Sequence, residues 1–386
     1  MEKTWWVDEG QLDVRQKEIL GLPPHGSYLI KGPPGSGKTN LLVLRANYLT
    51  LSGVSDLAVV VFNRTLCEFM RSGSADYKFD PKKVVTANRF IQTLLGELGI
   101  KIKRDSKPFT QVRAEMSSEL SRQIAAGKVP RIHEVILLDE SQDYWPQEID
   151  VFSRLAKDLF AVADSRQKVY EGDDCIPLLH SKVQKVIELE HHYRNGIQIC
   201  KLADQVGAHM TGGYEPIEPT ANYPEGKIPS KYDVHQGTIS EQAAEIADAV
   251  KRQRRTYPDE LIGVVCPRGA EVSEVAEHLR KQGLGDQLTV QSYEDGYLSM
   301  DSSRPVWVST IHSAKGLEFR ALHVAGLDHV TSFGSQQKRL AFTAITRAKT
   351  NLDLYHERAL PAYLQGALDT LRPDKKIASI KDAFGR

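Results

Sequence analysis

Apolar residues fall along this chain in two alternating textures. Short runs rich in Val, Ile and Leu predict buried strands, and longer stretches with apolar residues three and four apart predict amphipathic helices. In the first half, strands are predicted at Ser27–Ile30, Ala58–Phe62, Val84–Thr86, Val135–Leu138 and Leu159–Val162. The run NLLVLRANYL after Lys38 predicts a helix packed on that sheet. Around Lys185 the alternation begins again. Strands are predicted there at Val186–Leu189, Leu261–Cys266, Leu288–Gln291, Val306–Ser309 and Ala321–Val324, with helices in ISEQAAEIADAVKRQ and SEVAEHLRKQ. Such alternation belongs to α/β proteins with mainly parallel sheets. We expect two α/β lobes, residues 1–184 and 185–372, and a polar tail at 373–386.

Composition narrows the setting. The chain of 386 residues is 41% hydrophobic and 26% charged, enough to bury sizeable cores. Its start carries acids and no apolar h-region, unlike a signal peptide, and no apolar run reaches membrane-spanning length. Cys67, Cys175, Cys200 and Cys266 lie far apart with no CxxC pair, which argues against a zinc site or disulfide framework and fits a reducing cytoplasm. Basic and acidic residues balance at 50 each, which excludes a uniformly basic coat for nucleic acid but not a basic cleft.

Candidate chemistry starts at GPPGSGKT, comprising Gly32, Pro33, Pro34, Gly35, Ser36, Gly37, Lys38 and Thr39, between a predicted strand and a predicted helix that Asn40 continues. This matches the phosphate-binding loop pattern together with its strand–helix context. Glycines let backbone N–H groups turn onto a phosphate, and the helix N-terminus adds positive potential. Lys38 would reach the terminal phosphates of ATP, and the Thr39 hydroxyl would bind Mg²⁺. In VILLDESQD, four apolar residues form a buried strand with acids at its C-terminal end, where ligands bind in α/β sheets. Asp139 is placed to hold Mg²⁺ through water and Glu140 to act as general base. The adjacent His191 and His192 would face opposite ways on a strand, so a structural role is expected for them.

Together these segments resemble the UvrD/Rep-like group of superfamily 1 helicases, and further segments agree in order. LDVRQKEIL resembles the opening segment, whose glutamine, here Gln16, reads adenine. VVVFNRTLCEFM resembles the segment lining the single-strand DNA path, with Phe62 and Asn63. ADSRQKVY resembles the segment joining hydrolysis to DNA, with Asp164, Gln167 and Tyr170; Gln167 would sense the γ-phosphate. LEHHYRN carries the Tyr-Arg pair as Tyr193 and Arg194, and STIHSAKGLEF and RLAFTAITRAK match the last two motifs. Tyr193 offers a flat face to adenine, and Arg194 a planar cation to the γ-phosphate. Arg347 in AITRAK is the candidate arginine finger, and Glu318 would accept from the ribose hydroxyl.

The resemblance implies two tandem RecA-like P-loop NTPase lobes, an ATP-hydrolysing DNA helicase or translocase, and 3′ to 5′ movement. Thr86, Asn63, Thr310 and Phe62 are expected to hold single-stranded DNA, with His312 linking that path to the ATP cleft. Two departures bear on grip. TANRF stands where relatives often have TFHSF, and Glu171–Gly172 where a tryptophan often follows the tyrosine. The intervals Phe90–Asp139 and Arg194–Thr310 are also short for the accessory domains that larger relatives insert there. A stripped motor with weak unwinding is therefore expected, aided by a nuclease or other protein subunit. The alternative is a DNA-stimulated regulatory or sensing ATPase subunit of a nuclease, repair or anti-phage defence complex.

Overall fold

The computed structural model describes residues 9–74, 77–103, 107–164, 173–210, 214–223, 229–291, 301, 303–331 and 334–371. In chain order the first half forms α1 (Val14–Leu20), β1 (Tyr28–Lys31), α2 (Lys38–Leu51), β2 (Leu57–Val61), α3 (Arg64–Gly73), β3 (Val84–Thr86) and α4 (Ala87–Glu97). There follow α5 (Phe109–Ala125), β4 (His133–Leu138), α6 (Pro146–Leu155), β5 (Ala156–Ala163), α7 (Ile176–Lys182) and β6 (Lys185–Glu188). The second half forms α8 (Ile197–Gly207), β7 (Lys231–Gln236), α9 (Ile239–Thr256), β8 (Ile262–Cys266), α10 (Gly269–Leu279) and β9 (Leu288–Gln291). It ends with β10 (Val306–Thr310), β11 (Phe319–Val324), α11 (Ser335–Ile345), β12 (Ala348–His356) and α12 (Ala362–Leu371).

Among the described residues the strands make two six-stranded sheets, ordered β3-β2-β4-β5-β1-β6 and β7-β12-β11-β8-β10-β9, and every strand pair is parallel. Each sheet has helices on both faces, so its central strands need apolar residues on both sides. In β2, Val59 and Val61 enter the core beneath α2 and α3, while Ala58 and Val60 enter the core beneath α4, α5 and α6. The second sheet repeats the plan, with Trp307 of β10 toward α8 and α11 and Val306 and Val308 toward α9 and α10. These are two mainly parallel α/β sheets, consistent with RecA-like lobes.

One predicted strand changes place. The segment expected to open the second lobe, Val186–Leu189, forms β6, which pairs with β1 along the edge of the first sheet. Without it the edge of β1 would stand open. Ile187 and Leu189 also bury themselves in the core beneath α2. The chain crosses to the second sheet only after β6, through His191–Gly196. The tail at 373–386 lies outside the described residues.

Candidate nucleotide site

The phosphate loop leaves β1 and enters α2, whose N-cap, Gly37, has φ +82° and no side-chain cap. The N–H groups of the first turn of α2 therefore remain for a ligand. Two glycines are required by what packs against them. A Cβ on Gly37 would lie 2.8 Å from Nε2 of Gln16, and one on Gly35, at φ +72°, would overlap Arg194 and approach His192 Cε1 at 2.9 Å. The loop is thus clasped by α1 on one side and by the crossing segment on the other.

His192 makes the second clasp. Asn195 N donates to its Nε2 at 3.0 Å, so Nδ1 carries the proton and donates to the Pro34 carbonyl. Burial pushes its pKa down to about 3, so the ring is neutral and held in one tautomer. Tyr193 N adds a bond to Gly35 O at 3.0 Å. The structural role expected of His192 has a specific content: it ties the GPPGSGKT loop to the crossing segment.

A cavity of about 460 Å³ opens above this loop, between the sheets. Its walls include Gln16, Pro34, Gly35, Gly37, Lys38, Thr39, Asn40, Asp139, Glu140 and Asp164 from the first lobe's elements. Tyr193, Arg194, Glu318 and Lys349 close it from the other side. Gly32 and Pro33 lie beneath, where their carbonyls accept from Lys38 Nζ at 2.8 and 2.6 Å, and Ser36 Oγ accepts at 3.3 Å. Burial lowers the pKa of Lys38, opposed by Asp164, 3.7 Å away, and by Glu140. Gln16 spends its amide on the loop, donating to Ser36 O at 3.0 Å and accepting from Asp13 N at 3.0 Å. Tyr193 stands beside it, its hydroxyl donating to Asp13 at 2.5 Å.

The carboxylates sit where β4 and β5 end. Thr39 Oγ1 donates to Asp139 Oδ2 at 2.9 Å, and burial with the charge of Glu140 pushes Asp139 up to about 7. Glu140 is, among the described residues, the one non-glycine with positive φ, at +48°. A carboxylate residue held in that region costs on the order of 1–3 kcal/mol, and such strain gathers at working sites. Burial would raise the Glu140 pKa, but Lys315, Arg347, Lys38 and the Gln142 amide overcome it and hold the group ionised.

Across the cavity, Arg194 Nε donates to Glu318 Oε1 at 2.5 Å, and Lys349 lies 3.3 Å from Glu318 Oε2. Despite burial, these cations hold the Glu318 pKa down at about 2. Arg347 lies just behind, buried, donating to the carbonyls of Thr343 and Leu317 at 3.2 and 3.3 Å. Burial and nearby Arg194 lower its pKa, while Glu140, Glu318 and Asp164 oppose that. It sits within reach of the cavity's charges without lining it. Gln167 and Tyr170 lie outside the described residues.

The structure tests the fit of a nucleotide through Asn40. Both amide atoms of its buried side chain lack a hydrogen-bond partner at the start of α2, beside the cavity. A phosphate or ribose there would satisfy them. The touching hydroxyl and carboxylate of Thr39 and Asp139 are an oxygen donor set of the kind Mg²⁺ takes beside phosphates.

The candidate strand-binding residues gather at the C-terminal ends of β2, β3 and β10. Phe62 follows β2, its ring centroid 5.8 Å from that of Tyr144, with the Arg113 guanidinium 4.8 Å from its face. Asn63 caps α3, accepting from Leu66 N at 2.6 Å, and donates to the main-chain oxygen of Lys315 at 2.8 Å. Thr86, in register beside Val61, caps α4. Thr310 Oγ1 takes Ser313 N at 3.1 Å, and His312 is exposed on the same turn.

Sequence reasoning missed Lys315, Asp143, Lys349, Asn222 and Tyr223. The last three line the cavity, and Lys315 pairs with Asp143 at 2.5 Å. Lys315 and Asp143 both lie inside motifs already quoted, but a charge pair between two motifs is visible only in three dimensions.

The fold and site define an α/β protein with two mainly parallel sheets and, between them, a cavity lined by the GPPGSGKT loop and the carboxylates Asp139, Glu140 and Asp164. Residues 305–355 match the model of the UvrD-like helicase C-terminal domain family, so this part of the chain is similar to that domain, in keeping with the resemblance of the motifs. Among solved structures, the C-terminal domain of a possible DNA helicase from Lactobacillus plantarum WCFS1 is similar at 20% identity, covering 45% of this chain and 91% of its own, with a TM-score of 0.33. A search of the curated proteins found no match. No helix among the described residues is long and apolar enough to cross a membrane.

Proposed function

We propose that the chain is a DNA helicase-type motor that hydrolyses ATP to ADP and phosphate to step along single-stranded DNA, 3′ to 5′ as the UvrD/Rep resemblance implies. The observation that carries this reading is the joint cavity: a phosphate loop and two carboxylates from one lobe, facing Arg194, Glu318 and Lys349 from beyond the crossing segment. Such a site is complete only when the lobes meet, so nucleotide state and lobe spacing are linked.

Lys38 leaves its loop carbonyls for the terminal phosphates, and Asn40 and the first turn of α2 take the remaining phosphate oxygens. Thr39 and Asp139 would hold Mg²⁺, which when bound neutralises phosphate charge. Glu140 orients the attacking water and accepts its proton as the oxygen bonds to the γ-phosphorus and ADP departs. Arg194 and Arg347 supply positive charge to the transferring phosphoryl group. Tyr193 and Gln16 face the base, and Glu318 the ribose. Phe62, Asn63, Thr86, Thr310 and His312 line the strand path, holding it without reading sequence.

The test is steady-state ATP turnover alone and with single-stranded DNA, duplex DNA or RNA. Strong stimulation by single-stranded DNA is expected. Turnover indifferent to every nucleic acid would overturn the reading.

A further inference from the structure

Lys315 lies in the turn after β10, yet its ammonium is buried among carboxylates of the first lobe. Nζ is 2.5 Å from Asp143 Oδ2 and 3.8 Å from Glu140 Oε2, and the side chain is 2% exposed. Its main-chain oxygen is held at the same time by Asn63 Nδ2, at 2.8 Å, from the strand-binding end of β2. Asn63 is itself fixed, because its Oδ1 caps α3. One residue therefore touches the candidate DNA path with its backbone and the catalytic carboxylates with its side chain.

A second route joins the same points. Arg113 on α5 lies over the ring of Phe62, pairs with Glu148, and donates to the main-chain carbonyl of Asp143 at 2.9 Å. Asp143 is thus braced from the Phe62 side while its carboxylate receives Lys315. Glu140 is held in the left-handed region at φ +48°, a conformation uncommon for a residue with a side chain. Its carboxylate accepts from the Gln142 amide and lies 3.8 Å from Lys315 Nζ, so these two groups flank it directly.

We propose that Lys315 is a positioning residue that reports the state of the DNA path to Glu140, holding the catalytic carboxylate in line only while the two lobes are closed. The inference rests on the motor reading above. Lys315 belongs to the second lobe's chain, so opening the cleft draws its ammonium out of the first lobe and leaves Asp143 and Glu140 to relax. Strand bound at Asn63 and Phe62 stabilises the closed arrangement through both routes. Lys315 touches neither phosphate nor attacking water, and its effect appears in turnover rather than in nucleotide affinity.

The experiment is a double-mutant cycle on the full chain with Lys315→Met, Asp143→Asn and the pair combined. Each variant is measured for kcat and KM for ATP with and without oligo(dT), and for affinity toward a fluorescent ADP. Lys315→Met is expected to lower DNA-stimulated kcat by about a hundredfold or more. KM and ADP affinity should change less than about threefold, since ground-state binding is untouched. The double variant should be no slower than the slower single variant, because both act through one contact. Stimulated kcat within threefold of wild type for Lys315→Met would overturn the proposal, as would strictly additive losses or a loss confined to KM. Should the single variant unfold with Asp143 buried and unpaired, the double variant, lacking both charges, carries the same test: wild-type stimulation there would overturn it. A wild-type protein that binds no ATP or ignores oligo(dT) would instead fail the motor reading itself.

Discussion

Lys38 and Glu140 make separable demands on the chemistry. Lys38→Ala removes the cation that lies folded on the loop carbonyls, ready to exchange them for phosphate oxygens, and should abolish nucleotide binding as read by fluorescent ATP. Glu140→Gln keeps size and polarity but cannot take a proton. It should bind ATP and DNA normally and lose hydrolysis by at least about a hundredfold. Arg347→Ala should lower kcat by about a thousandfold or more, if the buried guanidinium swings onto the phosphoryl group as the lobes tighten. A change in KM alone would restrict it to ground-state binding. His192 gives a pH signature. Folded, it stays neutral with a pKa near 3, against about 6.5 in the unfolded chain. Between those values the unfolded chain takes up a proton that the folded one refuses. Its contribution is therefore intact above about pH 6.5 and is lost as pH falls, at up to about 1.4 kcal/mol per pH unit. Thermal unfolding from pH 7 to 5 should show a falling Tm for the wild type and a shallower fall for His192→Gln. Equal slopes would contradict the assignment.

At the scale of elements, α5 is fastened by charge as well as by packing. Arg113 forms a paired contact with Glu148 of α6, the two side chains 7% and 1% exposed, and its guanidinium lies 4.2 Å from the ring of Trp145. Arg113→Ala leaves the Glu148 charge buried without its cation, with only the hydrogen bonds from Trp145 N and Ser117 Oγ, so unfolding free energy should drop by about 3–5 kcal/mol in denaturant titration. A drop under 1 kcal/mol would show that the pair contributes little. The same scale explains what the sequence made legible. Central strands such as β2, β4 and β10 are apolar on both faces and could be read directly. The strand β7 could not, because it is a half-exposed edge of sequence KYDVHQ, with charges where an edge discourages pairing with other chains. In β12, Asn351 and Asp353 alternate with Leu352 and Leu354, so one apolar face was masked by polar neighbours. For β6 the strand was legible but its sheet was not. Edge pairing with β1 is decided by tertiary packing around Ile187, and no local pattern records it. Of the site, the GPPGSGKT loop, Asp139, Glu140, Arg194 and Arg347 were legible as motifs, whereas Lys349 and the contacts made by Lys315 and His192 were not.

At the scale of the whole molecule, the two lobes are joined by the crossing segment, by Asn63 to Lys315, and by Thr65 Oγ1 to Gln291 at 2.7 Å. These links lie beside the strand path, so nucleotide-driven closure would move DNA contacts of one lobe toward those of the other. The described elements between Arg194 and Thr310 are α8, α9 and α10, packed on the second sheet, and β7, β8, β9 and β10, which belong to it, with short helical turns between them. In the first lobe, α5 packs between α4 and α6. Separating duplex costs a mean of about 1.4 kcal/mol per base-pair step, and a motor with no added wedge domain among its described residues should do so feebly. Strand displacement by the purified chain should lag far behind its ATP turnover, and processive unwinding of long duplex by a monomer would refute that. Binding to single strands should weaken with rising salt, with a modest slope given a formal net charge of zero. The central claim, that ATP hydrolysis in this cleft moves the chain along one strand, is tested most directly by stopped-flow translocation on oligo(dT) of increasing length labelled at one end. The account predicts an ATP-dependent lag before the dye signal that grows linearly with length when the label is at the 5′ end, and no such signal with Glu140→Gln. Vigorous ATP turnover with a signal independent of strand length would contradict it.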